Sequence, residues 1–316
     1  MSREHLLREV ALHGGVALRR QLPFPARVIA AACADGDLVR SSRGQYALPA
    51  ADHGLVLAHR LHGARSHRTA ALAHGWSVTS PPSRPEIIVP RGHRVAVRDQ
   101  RRAVVRWRPL STTEKVTRLT SPLRTVVDCL CDEPEDVGLS VTDSALRAGA
   151  VTADEVDVAL ARARRHGVRP ARELAQHADG RAANAFESQL RLLGLAVPHL
   201  SLTPQQAIGS PDVGGFRVRV DLADVGLGIV AEADSFEWHG GRRRLAEDAF
   251  RYDELAVRGW LVLRFAYEQV FGAAEWVVQV LQRAVATQRM LVAAGVAPWR
   301  DSVLAEEPAD TWDVPA

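Results

Sequence analysis

Lysine is almost missing from this chain. Lys115 stands alone among 40 basic residues, and the rest are arginine. Arginine-for-lysine bias fits GC-rich coding. It also removes any titrating amine from the C-terminal half, because a guanidinium stays protonated and cannot act as a base at neutral pH. Cysteine is scarce too: Cys33, Cys129 and Cys131 are the whole set. An odd count without a secretory leader argues against a disulfide scaffold and for a reducing cytoplasm. No apolar run reaches the roughly 18 residues of a membrane helix, so no membrane partner is expected. The opening MSREHLLREV reads as a charged amphipathic helix rather than a targeting segment.

What is present is globular. Hydrophobic residues make up 47% and charged residues 24% of the 316 positions, which suits two or three folded domains. Net charge is only +3, but residues 1–110 hold 18 arginines against 7 acids, and the remainder is correspondingly acidic. A basic N-terminal third points to a polyanionic partner such as nucleic acid.

The pattern along the chain divides it at about 50, 180 and 300. Residues 1–50 predict a small winged helix-turn-helix. A helix over 4–13 carries Leu6, Leu7, Val10 and Leu12, a turn or short helix covers 16–22, and a third helix runs Ala26 to Ala34. Leu38–Arg40 and Tyr46–Leu48 then form a hairpin around Ser41–Gly44. Residues 51–180 predict a middle α+β domain. Its helices fall near 65–74, 121–131, 139–148 and 153–165, and its strands at Glu86–Val89, Arg94–Val97 and Val104–Trp107. Residues 181–300 predict a helix at 183–193, a loop carrying Pro198, Pro204 and Pro211, and strands at 217–224 and 227–234. A helix at 243–258, a strand at 260–265 and a helix at 274–294 complete it. The tail 301–316 is acidic. The fold class is therefore mixed α/β.

Chemistry concentrates in the third region. Asp221 lies on one strand, Glu232 and Asp234 two apart on the next, Glu187 on the first helix and Asp248 on the following one. A hairpin brings Asp221 and Glu232 together at a sheet edge. Such carboxylates repel unless a cation binds, and hard oxygen donors suit Mg²⁺ or Mn²⁺. Acidic residues are depleted in strand interiors, and unpaired carboxylates among apolar neighbours are costly. Other clusters are weaker. Cys129 and Cys131 sit on different helix faces, and His53, His59, His62, His67 and His74 read as scattered surface residues.

The segments FESQLRLLGL, RVRVDLADVGLGIVAEADSFEWHGG and DAFRYDELAVRGWLVLRF resemble the very-short-patch-repair-like endonucleases of the PD-(D/E)xK nuclease superfamily, over residues 181–290. The resemblance implies a restriction-endonuclease-like mixed sheet flanked by helices, and Mg²⁺-dependent hydrolysis of DNA. By position, Asp221 and Glu232 would hold the metal. His239 would be the general base, and Glu187 and Asp248 would complete the acidic cluster. Arg251 and Arg264 would hold phosphate. The superfamily's usual lysine, two residues after Glu232, is Asp234 in this chain, a departure that the repair-like branch shares. Residues 1–50 look like the winged helix at the start of abortive-infection antitoxins, and TSPLRTVVDCL and VTDSALRAG resemble the segment that follows it. Arg19, Arg20, Arg40 and Arg43 are then the candidates for DNA-backbone contact. The presumed recognition helix has Arg27 as its only charge, so sequence-specific readout is not expected. Three alternatives stay open: a winged helix used only for packing, a non-catalytic DNA-binding regulator with a degenerate nuclease fold, and a protein-interaction scaffold. A homodimer is compatible with all of them.

Overall fold

Ser2 accepts a hydrogen bond from the His5 amide and so opens helix α1, Arg3–Leu12. The computed structural model describes residues 2–209, 216–234 and 242–303, and of 242–246 the backbone alone. Leu6 and Val10 of α1 are buried, but Leu12 is 76% exposed. The predicted stripe therefore ends one turn early, just before the turn at Gly14–Gly15. Residues 16–22, read as a turn or helix, begin instead with strand β1, Val16–Leu18, followed by a 3₁₀ turn at Arg19–Gln21. The reason is tertiary: Val16 pairs with Ala47 on a hairpin whose free edge β1 completes. Helix α2 is Ala26–Ala34, as expected, and the hairpin strands are β2, Val39–Ser42, and β3, Gln45–Ala47. The small sheet runs β1-β3-β2, antiparallel throughout.

Next come α3, His53–Arg60, β4, Ala64–Arg65, α4, His67–Ala73, and β5, Glu86–Val89. They are followed by α5, Val97–Gln100, β6, Val104–Trp107, α6, Thr112–Thr117, and α7, Pro122–Asp132. A second sheet runs β4-β5-β6, with β5 and β6 parallel. Several readings change, and β4 and α6 are further elements that the sequence pattern did not mark. Helix α3, capped by Asp52, was not anticipated. The strand expected at Arg94–Val97 is absent: Val95 packs on the core from a loop, and Val97 opens α5. Alternation supplies the pattern of a strand but no edge to pair with. Helices α8, Glu135–Arg147, α9, Ala153–Arg162, and α10, Val168–Ala175, follow.

The chain separates into two compact units. One is Met1–Val137 with Asp154–Ala171, and the other is Gly138–Ala153 with Arg172–Ala316. In the second unit, α11, Ala185–Leu195, is capped by Asn184 and precedes β7, Thr203–Gly209, a strand where a proline-rich loop was expected. β7 forms an edge of the sheet, where Pro204 is tolerated. β8, Arg217–Asp224, β9, Ile229–Asp234, α12, Arg242–Val257, β10, Leu261–Ala266, α13, Tyr267–Gly272, and α14, Ala274–Ala293, complete it.

The sheet order is β10-β9-β8-β7, with β10 parallel to β9 and the other pairs antiparallel. Phe186 and Leu190 of α11, Val270 of α13 and Val277 and Leu281 of α14 join Leu222, Ile229, Ala231 and Phe265 in one core. Leu255 of α12, Trp260 and Trp299 join Ile208, Val220 and Val230 in a second. Gly228 makes the β8–β9 turn at φ 65°, and a Cβ there would stand 2.2 Å from the Trp299 ring. The whole is a mixed α/β architecture. Among the described residues no helix is long and apolar enough to cross a membrane.

Candidate functional site

The two middle strands of the four-stranded sheet part company where the acids lie. β8 and β9 pair only through Asp224↔Ile229, Ala223↔Val230 and Leu222↔Ala231. Beyond that point β8 continues against β7, while Glu232 to Asp234 continue against β10. The Asp221 carboxylate fills the opening. Its Oδ2 accepts the Ala233 amide at 2.9 Å, replacing the ladder bond that the divergence removes.

Three carboxyls meet around this gap. Glu187 and Glu232 are each only 3% exposed, and Asp221 is half-buried. Glu187 is tied to the N-terminus of α11. It accepts the Ala183 amide at 2.8 Å, Asn184 Nδ2 at 3.0 Å and Gln205 Nε2 at 3.0 Å. Gln205 reaches it from β7 with a left-handed φ of 54°, a conformation that costs energy for a non-glycine residue. Burial, and then the Asp221 charge, push the Glu187 carboxyl up to about 7. Burial and Asp221 act the same way on Glu232, pushing it up to about 8, and Arg251 only partly offsets them.

Arginines answer part of this charge. Arg251 Nη2 stands 2.5 Å from Glu232 Oε1, and Arg264 pairs with Asp234. Both guanidiniums that the sequence assigned to phosphate are thus engaged by carboxylates. Arg264 neutralises Asp234, two residues after Glu232 on β9. Both also lie over Tyr252, at 5.2 and 4.4 Å from the ring centre. Burial and the Glu232 charge push the Tyr252 hydroxyl up to about 12. Asp248, one turn earlier on α12, is partly buried and belongs to the same electrostatic group. His239 lies outside the described residues. Gln205 and Tyr252 went unnoticed in the sequence; neither belongs to a pattern, and only strand pairing and the α12 packing bring them in.

The residues fit a divalent cation in chemistry and in need. Their donors are hard oxygens, and apart from the Arg251 ion pair the buried Glu232 carboxylate has little positive charge beside it. Yet among the described residues the side chains whose ligand atoms cluster within 4.8 Å are His67, Asp128 and Asp132, not these.

That second group lies in the first unit, and it is already saturated. Arg108 places its terminal nitrogens 2.7 Å from Asp128 and 2.7 Å from Asp132, and Arg165 grips the same two acids. His67 is fully buried rather than at the surface. Its Nε2 meets Asp132 at 2.8 Å and its Nδ1 meets Ser66 Oγ at 2.9 Å. Burial alone would raise Asp132, but the bonds from His67, Arg165 and Arg108 outweigh it and hold the carboxyl well below its usual range. A cation there would have to displace guanidiniums. With Ser66 and His67 both fully buried, the Ser–His–Asp sequence of contacts has no substrate access. His59 and His74 are also half-buried, which corrects the surface reading for them. Cys129 is fully buried, and burial pushes its thiol up, so it is neither a ligand nor a nucleophile.

In the N-terminal hairpin Arg40 and Arg43 are exposed, as is Arg20. Arg19 is committed to its own backbone, donating to Leu22 O at 2.7 Å and Phe24 O at 3.1 Å. It shapes the turn instead of standing free for phosphate.

No protein-family model matches the chain. Two uncharacterized proteins of Mycobacterium tuberculosis, from strains CDC 1551 / Oshkosh and H37Rv, are each 35% identical over 156 residues. That is 48% of this chain, and the chain spans about half the length of these relatives, 55% of each. Among solved structures, the RV2827C protein from Mycobacterium tuberculosis is similar at 16% identity and a TM-score of 0.35, covering 66% of this chain and 87% of that one.

Proposed function

We propose that the chain is a Mg²⁺- or Mn²⁺-dependent DNA endonuclease whose basic N-terminal region holds the DNA. One observation carries the reading: two central strands diverge around buried, mutually repelling carboxyls that lack enough positive charge of their own. Asp221 and Glu232 would hold the cation. When bound, it would polarise a phosphoryl oxygen and sharpen a water as nucleophile. Glu187, anchored by three donors, holds its negative or protonated carboxyl against the gap and so sets the charge that Asp221 feels. Arg251 already pairs with Glu232 through Nη2, so a phosphate there would share its remaining donors with that ion pair. His239 is the proposed general base, and Asp248 on α12 would complete the acidic cluster. Arg20, Arg40 and Arg43 supply backbone contacts from the hairpin region, without base readout.

The test is cleavage of supercoiled plasmid and short duplexes with Mg²⁺, Mn²⁺ or EDTA. Asp221→Ala is expected to lower metal-dependent nicking roughly 1,000-fold, about 4 kcal/mol of barrier, and to leave DNA retention in a gel shift unchanged. Undiminished nicking by that variant would refute the assignment. A second reading has its own support. The pairs Arg251–Glu232 and Arg264–Asp234 balance part of the acidity without any metal, as a non-catalytic DNA-binding regulator would allow. It predicts salt-sensitive retention of DNA and no cleavage in either metal.

A further inference from the structure

The basic first unit holds a cavity that the nuclease reading does not use. It measures about 520 Å³, within the range of small-ligand sites. Four arginines line it: Arg91, Arg108, Arg124 and Arg165. One carboxylate, Asp128, also lines it, but that side chain is only 2% exposed and sits behind the guanidiniums that grip it.

The arrangement orients the arginines rather than cancelling them. Arg108 and Arg165 each spend one edge of the fork on Asp128 and Asp132. Their side chains remain 27% and 23% exposed, and a guanidinium has five N–H groups, so donors are left over on the open side. Arg124 is fixed by Glu114 at 2.9 Å and Pro109 O at 2.8 Å. Arg91 is exposed and has no ion-pair partner among the described residues. Ser121, the cap of the eleven-residue α7, lines the same cavity, so the positive end of that helix dipole adds to the field. Forks held rigid by carboxylates on one side are suited to a bidentate oxyanion on the other. The rest of the wall is aliphatic, with Leu123 and Val127 from α7. An inorganic ion would leave that wall uncovered, whereas an organic phosphate would fill both halves.

We infer that the first unit binds a small organic phosphate of mononucleotide size, with its phosphate on the Arg91, Arg108, Arg124 and Arg165 side and its body on the aliphatic wall. The site is independent of the carboxylates in the second unit.

Calorimetric titration of the full chain with AMP, GMP, CMP and UMP tests it, with the matching nucleosides and inorganic phosphate as controls. At least one nucleotide is expected to bind roughly tenfold or more tightly than its nucleoside, about 1.4 kcal/mol, and inorganic phosphate should compete weakly. Arg91→Glu should weaken that nucleotide at least about tenfold, while Arg91→Lys should keep most of the affinity. Ala163→Phe, which fills the cavity from a half-buried position and alters no charge, should abolish binding. Thermal unfolding of each variant confirms that it is folded. Asp221→Ala should bind the nucleotide like the parent chain, which separates this site from the nuclease proposal. The inference is overturned if none of the four nucleotides binds below ~1 mM, or if nucleoside and nucleotide bind equally. Unchanged affinity in both Arg91→Glu and Ala163→Phe, or loss of it in Asp221→Ala, also overturns it.

Discussion

The two units each gather carboxylates, and they treat them in opposite ways. In the first, Asp128 and Asp132 are enclosed by Arg108, Arg124, Arg165 and His67, and Asp132 is held far below its usual range. In the second, Glu187 and Glu232 surround Asp221 with Arg251 as the main counter-charge, and both glutamates are pushed up towards neutrality or beyond. The functional group is the same, a carboxyl, and burial is similar. The difference is the number of guanidiniums within reach. Acid density by itself therefore marks no site. What separates the second cluster is a deficit of positive charge around its buried acids, which the first lacks. The first cluster satisfies the closer metal-ligand spacing, yet its oxygens are already occupied.

The contrast can be broken at several points. The largest effect expected is on activity, in the loss of nicking by Asp221→Ala described above. Next is the stability of the first cluster. Removing Arg165 takes one partner from each of Asp128 and Asp132, which keep Arg108, Arg124 and His67, so Arg165→Ala should cost about 2 kcal/mol, read by urea unfolding. Neutralising an acid of the second cluster should act with opposite sign. Glu232 has a folded value of about 8, above the 4.5 of an unperturbed glutamate. Its raised value favours the fold while both states are protonated, and that advantage is lost as pH rises from about 4.5 through about 8. Glu232→Gln should therefore stabilise the protein at pH 8 relative to the parent and change little at pH 4.5. A melting-temperature series against pH measures this, and equal shifts at both pH values would break the comparison. Cation binding should displace the same proton, so stabilisation by Mg²⁺ should grow between pH 6 and pH 8.

The smallest effect lies on the acid side of the first unit. Burial, with the charges of Arg118 and Arg65, lowers His59 to about 4, against 6.5 when exposed. The fold favours the neutral ring, so its contribution is complete above pH 6.5 and is lost as pH falls towards 4. His59→Gln should flatten that limb by less than the arginine variant changes the midpoint. Hydrogen exchange resolved by residue separates the two units in each experiment.

Much of this molecule was legible in advance. Strands β5, β6 and β8 and helix α2 fell at their predicted bounds, because alternation or a helical stripe bounded by proline and glycine is a local signal. β1 and β7 were misread as turn and loop because their stability comes from a neighbouring strand distant in sequence. The Arg94–Val97 error is the converse, a strand pattern without a partner. Within the candidate site, Glu187, Asp221 and Glu232 were named from sequence and are electrostatically coupled in the fold. The engagement of Arg251 and Arg264 by acids, and the support from Gln205, were not foreseeable, since no spacing rule links α12 to β9 or β7 to α11.

Sequence alone determined the class of each region: a basic, arginine-only front, a mixed α/β body, and acids set among apolar strand residues. Those are properties of composition and short-range periodicity, which do not depend on where distant segments meet. Tertiary structure decided which acids go short of positive charge and which are quenched, because that balance is a sum over side chains brought together from separate elements. Folding also placed Arg91, Arg108, Arg124 and Arg165, up to 74 residues apart, around one cavity.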